Sequence, residues 1–387
     1  MIIEKIGKYI SEVSVRNKKG FVTDVFSVTN SQGFIKSTDY FSKEVFSKDV
    51  SNYKIVGENE FAYNPSRINV GSIDYLKQKS QVVISPLYVV FKCNNALNQE
   101  FLKVFLKSPI GNSRIRAKTK GAVRDTLSFG SLCEIKIPIL PIEDQLHIAN
   151  LLSKAENLIA QRKESIRLLD VFLKSTFLEM FGDPIANKKK WNLLQVSDYG
   201  ESRLGKMLDG KKIIGNNLKP YLRNSNVLWF RFKLDDLLEM DFEEKDRAEF
   251  SLKNGDILMC EGGEIGRCAI WRDELEECYF QKAIHRIRLN KDIALPEYFV
   301  FMFWIYTMNG GLNKYMGAAT ISHLTGEKLK KMKLPIPPIE LQTQFAQIVE
   351  KTEALKTQYQ QSLQELENLY GSLSQRAFRG ELCLNQC

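Results

Sequence analysis

The sequence predicts an α+β protein built as an internal repeat, in which two mixed α/β domains are separated by two long antiparallel helices that form a coiled coil. Three observations lead to this prediction. The stretch from Pro138 to Phe181 recurs without a gap from Pro335 to Phe378, a shift of 197 residues. Both copies carry apolar residues at alternating steps of four and three. Both also follow a domain-sized segment of mixed strand and helix pattern.

Residues 1–137 are predicted to form the first mixed domain. Residues 21–28 and 81–92 are rich in β-branched and aromatic side chains, which favour strands. Residues 98–108 carry apolar side chains at helical spacing. This segment also has more basic than acidic side chains, as a domain that binds a polyanion would.

Residues 138–185 are predicted to be the central spacer helix. Pro138 and Pro141 precede it, and proline suits the start of a helix but not its interior. Gly182 favours a helix end and Pro184 prevents continuation. The helix itself has an apolar seam with a polar middle, and acidic residues exceed basic ones.

Residues 186–334 are predicted to form a second mixed domain, again with an excess of basic side chains. Residues 296–308 have the composition of a buried helix and align with residues 99–111 at the same shift of 197 residues. The duplication therefore includes the domains, although they have diverged. The strand-like runs are residues 227–232, 255–260 and 279–289.

Residues 335–387 are predicted to be the C-terminal spacer helix. Its apolar stripe needs cover, and packing back along the first helix would bury both stripes, so we expect an antiparallel pair with a pseudo-two-fold axis. A register centred on Arg162 and Tyr359 places Ile148 opposite Leu373, and Thr176 opposite Phe345.

Composition excludes several classes of protein. Hydrophobic residues make up 44% of the chain and charged residues 26%, as in ordinary globular proteins. No apolar run approaches the roughly 20 residues of a membrane span. The N-terminus lacks the apolar core of a signal peptide, and the seven cysteines are scattered. We therefore expect a cytoplasmic protein with reduced thiols and no membrane contact.

The motifs do not indicate catalysis or a metal site. Residues 261–267, EGGEIGR, lack the Gly-Lys-Ser/Thr of a phosphate-binding loop, and residues 64–67, NPSR, are interpreted as a turn. His147, His285 and His323 are far apart in sequence, without acidic or cysteine neighbours at ligand spacing. The sequence does not exclude a catalytic Ser/His/Asp triad whose residues come together only in the folded protein.

Clusters of basic and amide side chains in segments of loop-like composition are candidates for DNA contact. Lysine and arginine bind phosphates, arginine can also pair with guanine, and asparagine can pair with adenine. A surface charge or a turn is an equally good interpretation for any single residue. The candidates are Arg67, Asn69, Arg114, Arg116, Lys118, Lys120 and Arg124 in the first domain, and Arg203, Lys211, Arg223, Asn224, Asn226, Arg267 and Lys314 in the second.

Several motifs together resemble the specificity subunit of type I restriction–modification systems. They are the repeated P-[IL]-x-P-I-E-x-Q at the start of each long helix, FGDP-x-x-N-x-K-x-W after the first helix, and RAFRGEL at residues 376–382. The resemblance covers essentially the full chain.

The resemblance implies that the two domains are target recognition domains, each reading one half of a bipartite site in double-stranded DNA. The helices would set the separation of the half-sites and dock two modification subunits, which carry S-adenosylmethionine. Restriction subunits with ATP and Mg²⁺ would join them. This chain would hold no cofactor or metal and would not be an enzyme. The expected spacer and docking residues are Glu143, Gln145, Arg162, Glu340, Gln342 and Tyr359.

Two other functions stay open on the sequence alone. The chain could be a coiled-coil scaffold that binds RNA or protein without DNA sequence specificity. It could also be an enzyme with a divergent active site. Binding to duplex DNA with a bipartite footprint would argue against the scaffold. Adenine methylation by the isolated chain would support the enzyme.

Overall fold

The computed structural model describes residues 2–40, 47, 49–119, 126–207, 215, 217–315 and 323–384. The chain divides into two compact units. Unit 1 contains Met1–Glu164 and Gln361–Cys387, and unit 2 contains Ser165–Gln360. Each unit therefore holds one mixed domain together with half of each long helix. Within these described ranges, no helix is long and apolar enough to cross a membrane.

Unit 1 begins with its mixed domain. Its strands are β1 (Ile2–Lys5), β2 (Ile10–Val13), β3 (Val25–Thr29), β4 (Gly33–Lys36), β5 (Lys54–Val56), β6 (Phe61–Tyr63), β7 (Ile73–Tyr75), β8 (Val82–Ile84), β9 (Val89–Cys93) and β10 (Lys136–Ile139). Its helices are α1 (Ser37–Tyr40), α2 (Gln99–Lys107), α3 (Pro109–Lys118) and α4 (Phe129–Cys133), followed by the first long helix, α5 (Ile142–Phe181).

The strands of unit 1 form two four-stranded sheets and one pair. One sheet has the order β2-β9-β6-β7 and the other β4-β3-β8-β5, with β3 and β8 parallel. Strand β1 pairs antiparallel with β10, so that Ile3 lies opposite Pro138. This pair places the N-terminus of the chain beside the entry to helix α5.

Unit 2 has a second mixed domain, and the second long helix begins in it. Its strands are β11 (Asn192–Gln195), β12 (Gly200–Leu204), β13 (Leu218–Leu222), β14 (Val227–Leu228), β15 (Arg231–Phe232), β16 (Leu238–Asp241), β17 (Ile257–Cys260), β18 (Cys268–Ile270), β19 (Tyr279–Phe280), β20 (Ile284–Leu289) and β21 (Lys333–Ile336). Its helices are α6 (Val196–Tyr199), α7 (Glu244–Phe250), α8 (Pro296–Met308), α9 (Gly326–Lys331) and α10 (Ile339–Phe378).

The sheets of unit 2 repeat the topology of unit 1. The order β12-β20-β17-β18 matches β2-β9-β6-β7, and β16-β13-β19 matches β4-β3-β8, with β13 and β19 parallel as β3 and β8 are. Strand β11 pairs with β21 as β1 pairs with β10: Asn192 lies opposite Ile336, and Ile2 lies opposite Ile139. The duplication inferred from the helices is therefore present in the sheets.

Four sequence predictions need correction at the level of single elements. Residues 81–92 contain two strands, β8 and the start of β9, rather than one. Residues 227–232 form the β14–β15 hairpin, in which Phe230 occupies the turn with a φ of 65°. Residues 113–118 belong to helix α3 and residues 219–222 to strand β13, although both were expected in loops.

Helix α2 connects the domain of unit 1 to helix α5 through Glu100. Its carboxylate accepts hydrogen bonds from Tyr75 (2.7 Å) and from Ser153 of α5 (2.9 Å), and it pairs with Lys103 at 2.5 Å. Burial alone would raise the pKa of Glu100, but Lys103, Tyr75 and Ser153 stabilise the charged form and lower it to about 2. The carboxylate is therefore ionised and holds the two helices together.

The C-terminal end of α10 completes the core of unit 1. Phe378 is buried against Phe101 and Phe105 of α2, with ring centroids 5.7 and 5.1 Å apart. The backbone N–H of Leu384 donates to the carboxylate of Asp144 in the first turn of α5, at 2.8 Å. The segment from the end of α10 to Leu384 is therefore bonded to the start of the first long helix.

In unit 1 the two long helices pack antiparallel, as predicted. Ile148 and Leu373 lie in the same hydrophobic core. The Tyr370 hydroxyl donates to Glu156 at 2.7 Å, so the start of α5 lies beside the end of α10.

In unit 2 the other halves of the helices show the same arrangement. Phe177 contacts Phe345 with ring centroids 5.4 Å apart, next to the predicted pairing of Thr176 with Phe345. Asp170 pairs with Lys356 at 2.5 Å. The register centred on Arg162 and Tyr359 would have placed Asp170 opposite residue 351, so the true partner lies about one turn further along α10.

Replacing Phe378 by alanine should destabilise unit 1. Removing a buried phenylalanine from a packed core typically costs about 3–5 kcal/mol, because a cavity replaces its contacts. The exposed Phe172 of α5 is the matched control, and its replacement by alanine should change stability by less than about 0.5 kcal/mol. Urea unfolding of the two variants measures both. Equal midpoints would show that the end of α10 does not pack against α2.

Candidate nucleic-acid interface

Unit 2 contains a cleft of about 640 Å³ whose walls come from four elements and one turn. Strand β12 and the residues after it form one wall, and helix α7 forms another. The turn before β20, strand β20 and the start of α9 close the remaining sides. The lining residues are Ser202, Arg203, Leu204, Gly205, Lys206, Met207, Asp246, Glu249, Phe250, Lys282, His285, Gly326 and Lys330.

The cleft carries more positive than negative charge. Arg203 is paired with Glu249 and Lys206 with Asp246, the latter at 2.6 Å. Lys206 also donates to the carbonyl of Asp241, which fixes its position. Two exposed lysines remain, one from the turn before β20 and one from α9.

These two lysines, Lys282 and Lys330, have no acidic partner within the described ranges. Their charges therefore stay available to a ligand. A surface with unpaired ammonium groups in a concave site attracts phosphate.

His285 lies on the floor of the cleft and is almost fully buried. One of its ring nitrogens, Nε2, lies 3.2 Å from the carbonyl of Leu324 and 4.0 Å from the Glu261 carboxylate. Burial lowers the pKa of His285, and the charge of Lys330 lowers it further, while Glu261 and the Leu324 carbonyl partly oppose this. His285 is therefore neutral at pH 7, and the positive charge of the cleft comes from lysine and arginine.

Four other candidates of unit 2 form an internal network. The Asn226 side chain is buried and donates to Lys233 O (2.9 Å) and to Asp236 (2.7 Å). Because its amide is enclosed in this way, Asn226 cannot reach an adenine edge, and that prediction is corrected.

The remaining members of this network are also held by the protein. Arg223 donates to the carbonyl of Asp236 at 2.7 Å. Arg267 donates to the carbonyl of Asn224 at 2.8 Å and pairs with Glu264 at 3.0 Å. The Asn224 side chain in turn donates to Gly262 O at 3.3 Å. These residues brace two neighbouring loops.

In unit 1 the candidates gather on helix α3 and on the turn beside it. Asn112 of α3 donates to the carbonyl of Asn69 at 3.0 Å, which fixes the turn against the helix. Arg67 in this turn and Arg116 and Lys118 in the last turn of α3 are exposed. We call these three side chains the α3 basic face.

Arg114 differs from its neighbours on α3. Its guanidinium donates to the carbonyl of Lys136 and lies over the ring of Phe105, 5.6 Å from the centroid. This side chain therefore packs against its own domain. In unit 2, Lys314 is exposed and lies 5.1 Å from the ring centroid of Tyr315. Lys120, Arg124 and Lys211 lie outside the described residues.

The expected docking residues are placed differently from one another. Glu143 and Glu340 are exposed at the starts of α5 and α10. Arg162 and Tyr359 are half-buried near the middle of the helix pair. Gln145 and Gln342 are fully buried, and their amides are bonded within the chain.

Because of this burial, these two glutamines cannot contact a partner subunit, and their placement on a docking surface is corrected. An exposed apolar stripe on α5 is better placed for docking. Leu168, Val171 and Phe172 follow one another at helical spacing, and each is nearly half exposed or more.

Sequence reasoning missed Lys282 and Lys330. The fold brings them together through the pairing of β12 with β20 and the packing of α9 on β12. The available signal was weak: Lys330 belongs to the basic run at residues 328–333, and Lys282 stands alone. Among the residues that the structure describes, no three histidine, cysteine or acidic side chains come together as a metal site would require.

Comparison with known proteins shows which proteins the chain resembles. Residues 188–368 match the family model described as the type I restriction modification DNA specificity domain. Two curated relatives extend the match over most of the chain. The EcoKI specificity subunit of Escherichia coli K12 is 23% identical, covering 95% of this chain and 81% of the relative. The chain is thus similar to type I restriction–modification specificity subunits over most of its length.

Another specificity subunit, the putative MjaX subunit of Methanocaldococcus jannaschii, is 21% identical over 89% of this chain and 83% of its own length. Two solved structures show the same fold. A chain of a type I restriction–modification system has a TM-score of 0.59 at 16% identity and covers 98% of both chains. The S subunit of M. genitalium has a TM-score of 0.58 at 14% identity, covering 97% of this chain and 96% of that one.

Acidification should destabilise this protein through His285. A histidine whose pKa is lowered by folding stays neutral in the folded state while the unfolded chain takes up a proton. Stability is therefore complete above the unfolded pKa of about 6.5 and falls below it. His285→Gln removes this titration, so its melting temperature should fall less between pH 7.5 and pH 5.5 than that of the wild type. Parallel pH dependences would contradict the neutral, buried histidine.

Proposed function

We propose that this chain is the DNA-reading subunit of a type I restriction–modification complex, and that each unit reads one half of a bipartite site in double-stranded DNA. One observation carries the proposal. The two units repeat one sheet topology, and each presents exposed basic side chains on a mixed domain that packs against parts of both long helices. Two copies of one DNA-binding unit whose surfaces have diverged could recognise two half-sites of different sequence.

The basic surfaces are the proposed DNA contacts. In unit 2 the cleft offers Lys282 and Lys330 to the phosphate backbone, with Arg203 at its edge. In unit 1 the α3 basic face serves the same purpose. Phosphate contacts of this kind position a protein on DNA, whereas side chains that reach the base edges provide specificity.

The helix pair is the proposed spacer and docking element. Each helix has 40 residues, and a helix of that length spans about 60 Å. That distance exceeds one turn of B-DNA, which is roughly 34 Å, so the half-sites would be separated by base pairs that are not read. The exposed stripe of Leu168, Val171 and Phe172 supports docking of a partner subunit, because exposed apolar patches commonly mark such interfaces.

The chemistry of the complex would belong to its partners. We propose two modification subunits that carry S-adenosylmethionine, and restriction subunits that use ATP and Mg²⁺. This chain would contribute no catalytic group and no cofactor, and it would act in the cytoplasm, where the chromosomal DNA lies.

Removing the two unpaired lysines should weaken DNA binding without changing which sequence is preferred. Each phosphate contact contributes a slope of about −0.9 to the dependence of log affinity on log salt concentration, because bound counterions are released. The double variant Lys282→Ala/Lys330→Ala should therefore reduce the slope by roughly 1 to 2. Fluorescence anisotropy with duplex DNA over a salt series measures this.

The control is Lys351→Ala, which removes an exposed lysine from α10. Its salt slope should equal that of the wild type. If the double variant also keeps the wild-type slope, the cleft does not contact DNA phosphates.

Lengthening both helices should lengthen the gap between the half-sites. Seven residues inserted after Glu164 and seven after Gln360 preserve the heptad pattern and add about 10 Å, or roughly three base pairs. Methylation of a DNA library by the assembled complex should then show a longer gap with the same bases in both half-sites. An insertion in α5 alone is the control, because it breaks the register of the pair and should abolish methylation. A changed half-site, or an unchanged gap, would refute the spacer role.

A further inference from the structure

We infer that Gln145 and Gln342 are positioning residues that fix each mixed domain on the long helix that follows it. The inference rests on the proposed function, because its consequence is the accuracy of the gap between half-sites. Gln145 lies in the first turn of α5 and is fully buried. Its side-chain oxygen accepts from the backbone N–H of Asn98 at 2.8 Å. Its amide nitrogen donates to the carbonyls of Ala96 and Leu140, both at 2.9 Å.

Gln342 repeats this arrangement in the first turn of α10. Its side-chain oxygen accepts from the backbone N–H of Leu295 at 2.9 Å. Its amide nitrogen donates to the carbonyls of Ile293 (3.1 Å) and Pro337 (2.9 Å). Each of these partners lies 197 residues after its counterpart in unit 1, so the three hydrogen bonds are equivalent.

The partners have changed while the glutamine has not. The backbone groups belong to Ala96 and Ile293, to Asn98 and Leu295, and to Leu140 and Pro337. Because only backbone atoms are contacted, the identities of these residues are free to differ. The glutamine cannot differ in the same way. Its position is buried and needs a side chain that accepts from one backbone N–H and donates two hydrogens to two carbonyls, which a glutamine amide does.

Each glutamine joins three segments. In unit 1 these are the turn before α2, the end of the strand β10, and the first turn of α5. The link between β10 and α5 is a short proline-containing turn, and the glutamine ties this turn and the turn before α2 to the first turn of α5. The three hydrogen bonds act at the point where the chain enters the helix, whereas the bond between Ser153 and Glu100 lies two turns further along it, so they help to set the angle between the domain and the helix. A small change of this angle would move the DNA-reading surface along the duplex.

The test uses Gln145→Glu and Gln342→Glu, each in the complex with modification subunits. A carboxylate keeps the acceptor but directs a second oxygen at two carbonyls, so two hydrogen bonds are lost. The readout is methylation of a library in which the two half-sites are separated by gaps of every length. We expect about a tenfold loss at the native gap, as unpaired buried groups produce. We also expect a broader range of accepted gaps, with the same bases in each half-site.

Gln344→Glu is the matched control, since it makes the same change at an exposed position two residues along α10. It should keep the narrow gap preference. If the glutamate variants do not fold, Gln145→Met and Gln342→Met remove the hydrogen bonds without adding charge, and they decide the question.

A uniform loss of methylation at all gaps, with the wild-type gap preference retained, would mean that the glutamines only stabilise the fold, and it would overturn the inference. Failure of the proposed function looks different. In that case the wild-type complex itself would select no bipartite site.

Discussion

Each of the two long helices has an apolar seam that the other covers, and the rest of the structure depends on their antiparallel packing. A single helix of 40 residues would expose its seam to water. Packing in opposite directions covers both seams, and it brings the end of α10 to the start of α5, where Phe378 closes the core of unit 1. In unit 2, Phe177 and Phe181 of α5 pack in the same way against Phe345 and α8. Each mixed domain is therefore built around parts of both helices.

Much of this arrangement was predictable from sequence, because its causes are local. Proline before the helices, glycine after the first one, and the seam of alternating steps all act within a few residues. Helix α8 occupies residues 296–308, as its apolar composition predicted. The internal repeat supplied the long-range information, since one pattern found twice implies one arrangement used twice. The strand β1 was missed because its counterpart β11 is shifted by a different number of residues from the helices.

The candidate interface was less predictable, because it depends on which polar side chains turn inward. Asparagine and glutamine usually lie at protein surfaces, yet Asn226 and Gln145 are both buried. Their side-chain amides form all of their hydrogen bonds inside the protein. Sequence cannot reveal this without the partners' positions. Lys282 and Lys330 are distant in sequence. They line the same cleft because β12 pairs with β20 and α9 packs on β12. The helix register agrees with the prediction at the contact of Phe177 with Phe345, whereas Asp170 pairs with Lys356 rather than with residue 351.

The central claim is that one chain specifies two different half-sites through two diverged copies of one unit. Sequencing of modified bases in the host genome, with this chain present and with it deleted, tests the claim most directly. The account predicts methylated adenines in one asymmetric motif made of two half-sites with a constant gap, and their disappearance on deletion. An unchanged methylation pattern, or a dependent motif that is contiguous, would contradict it.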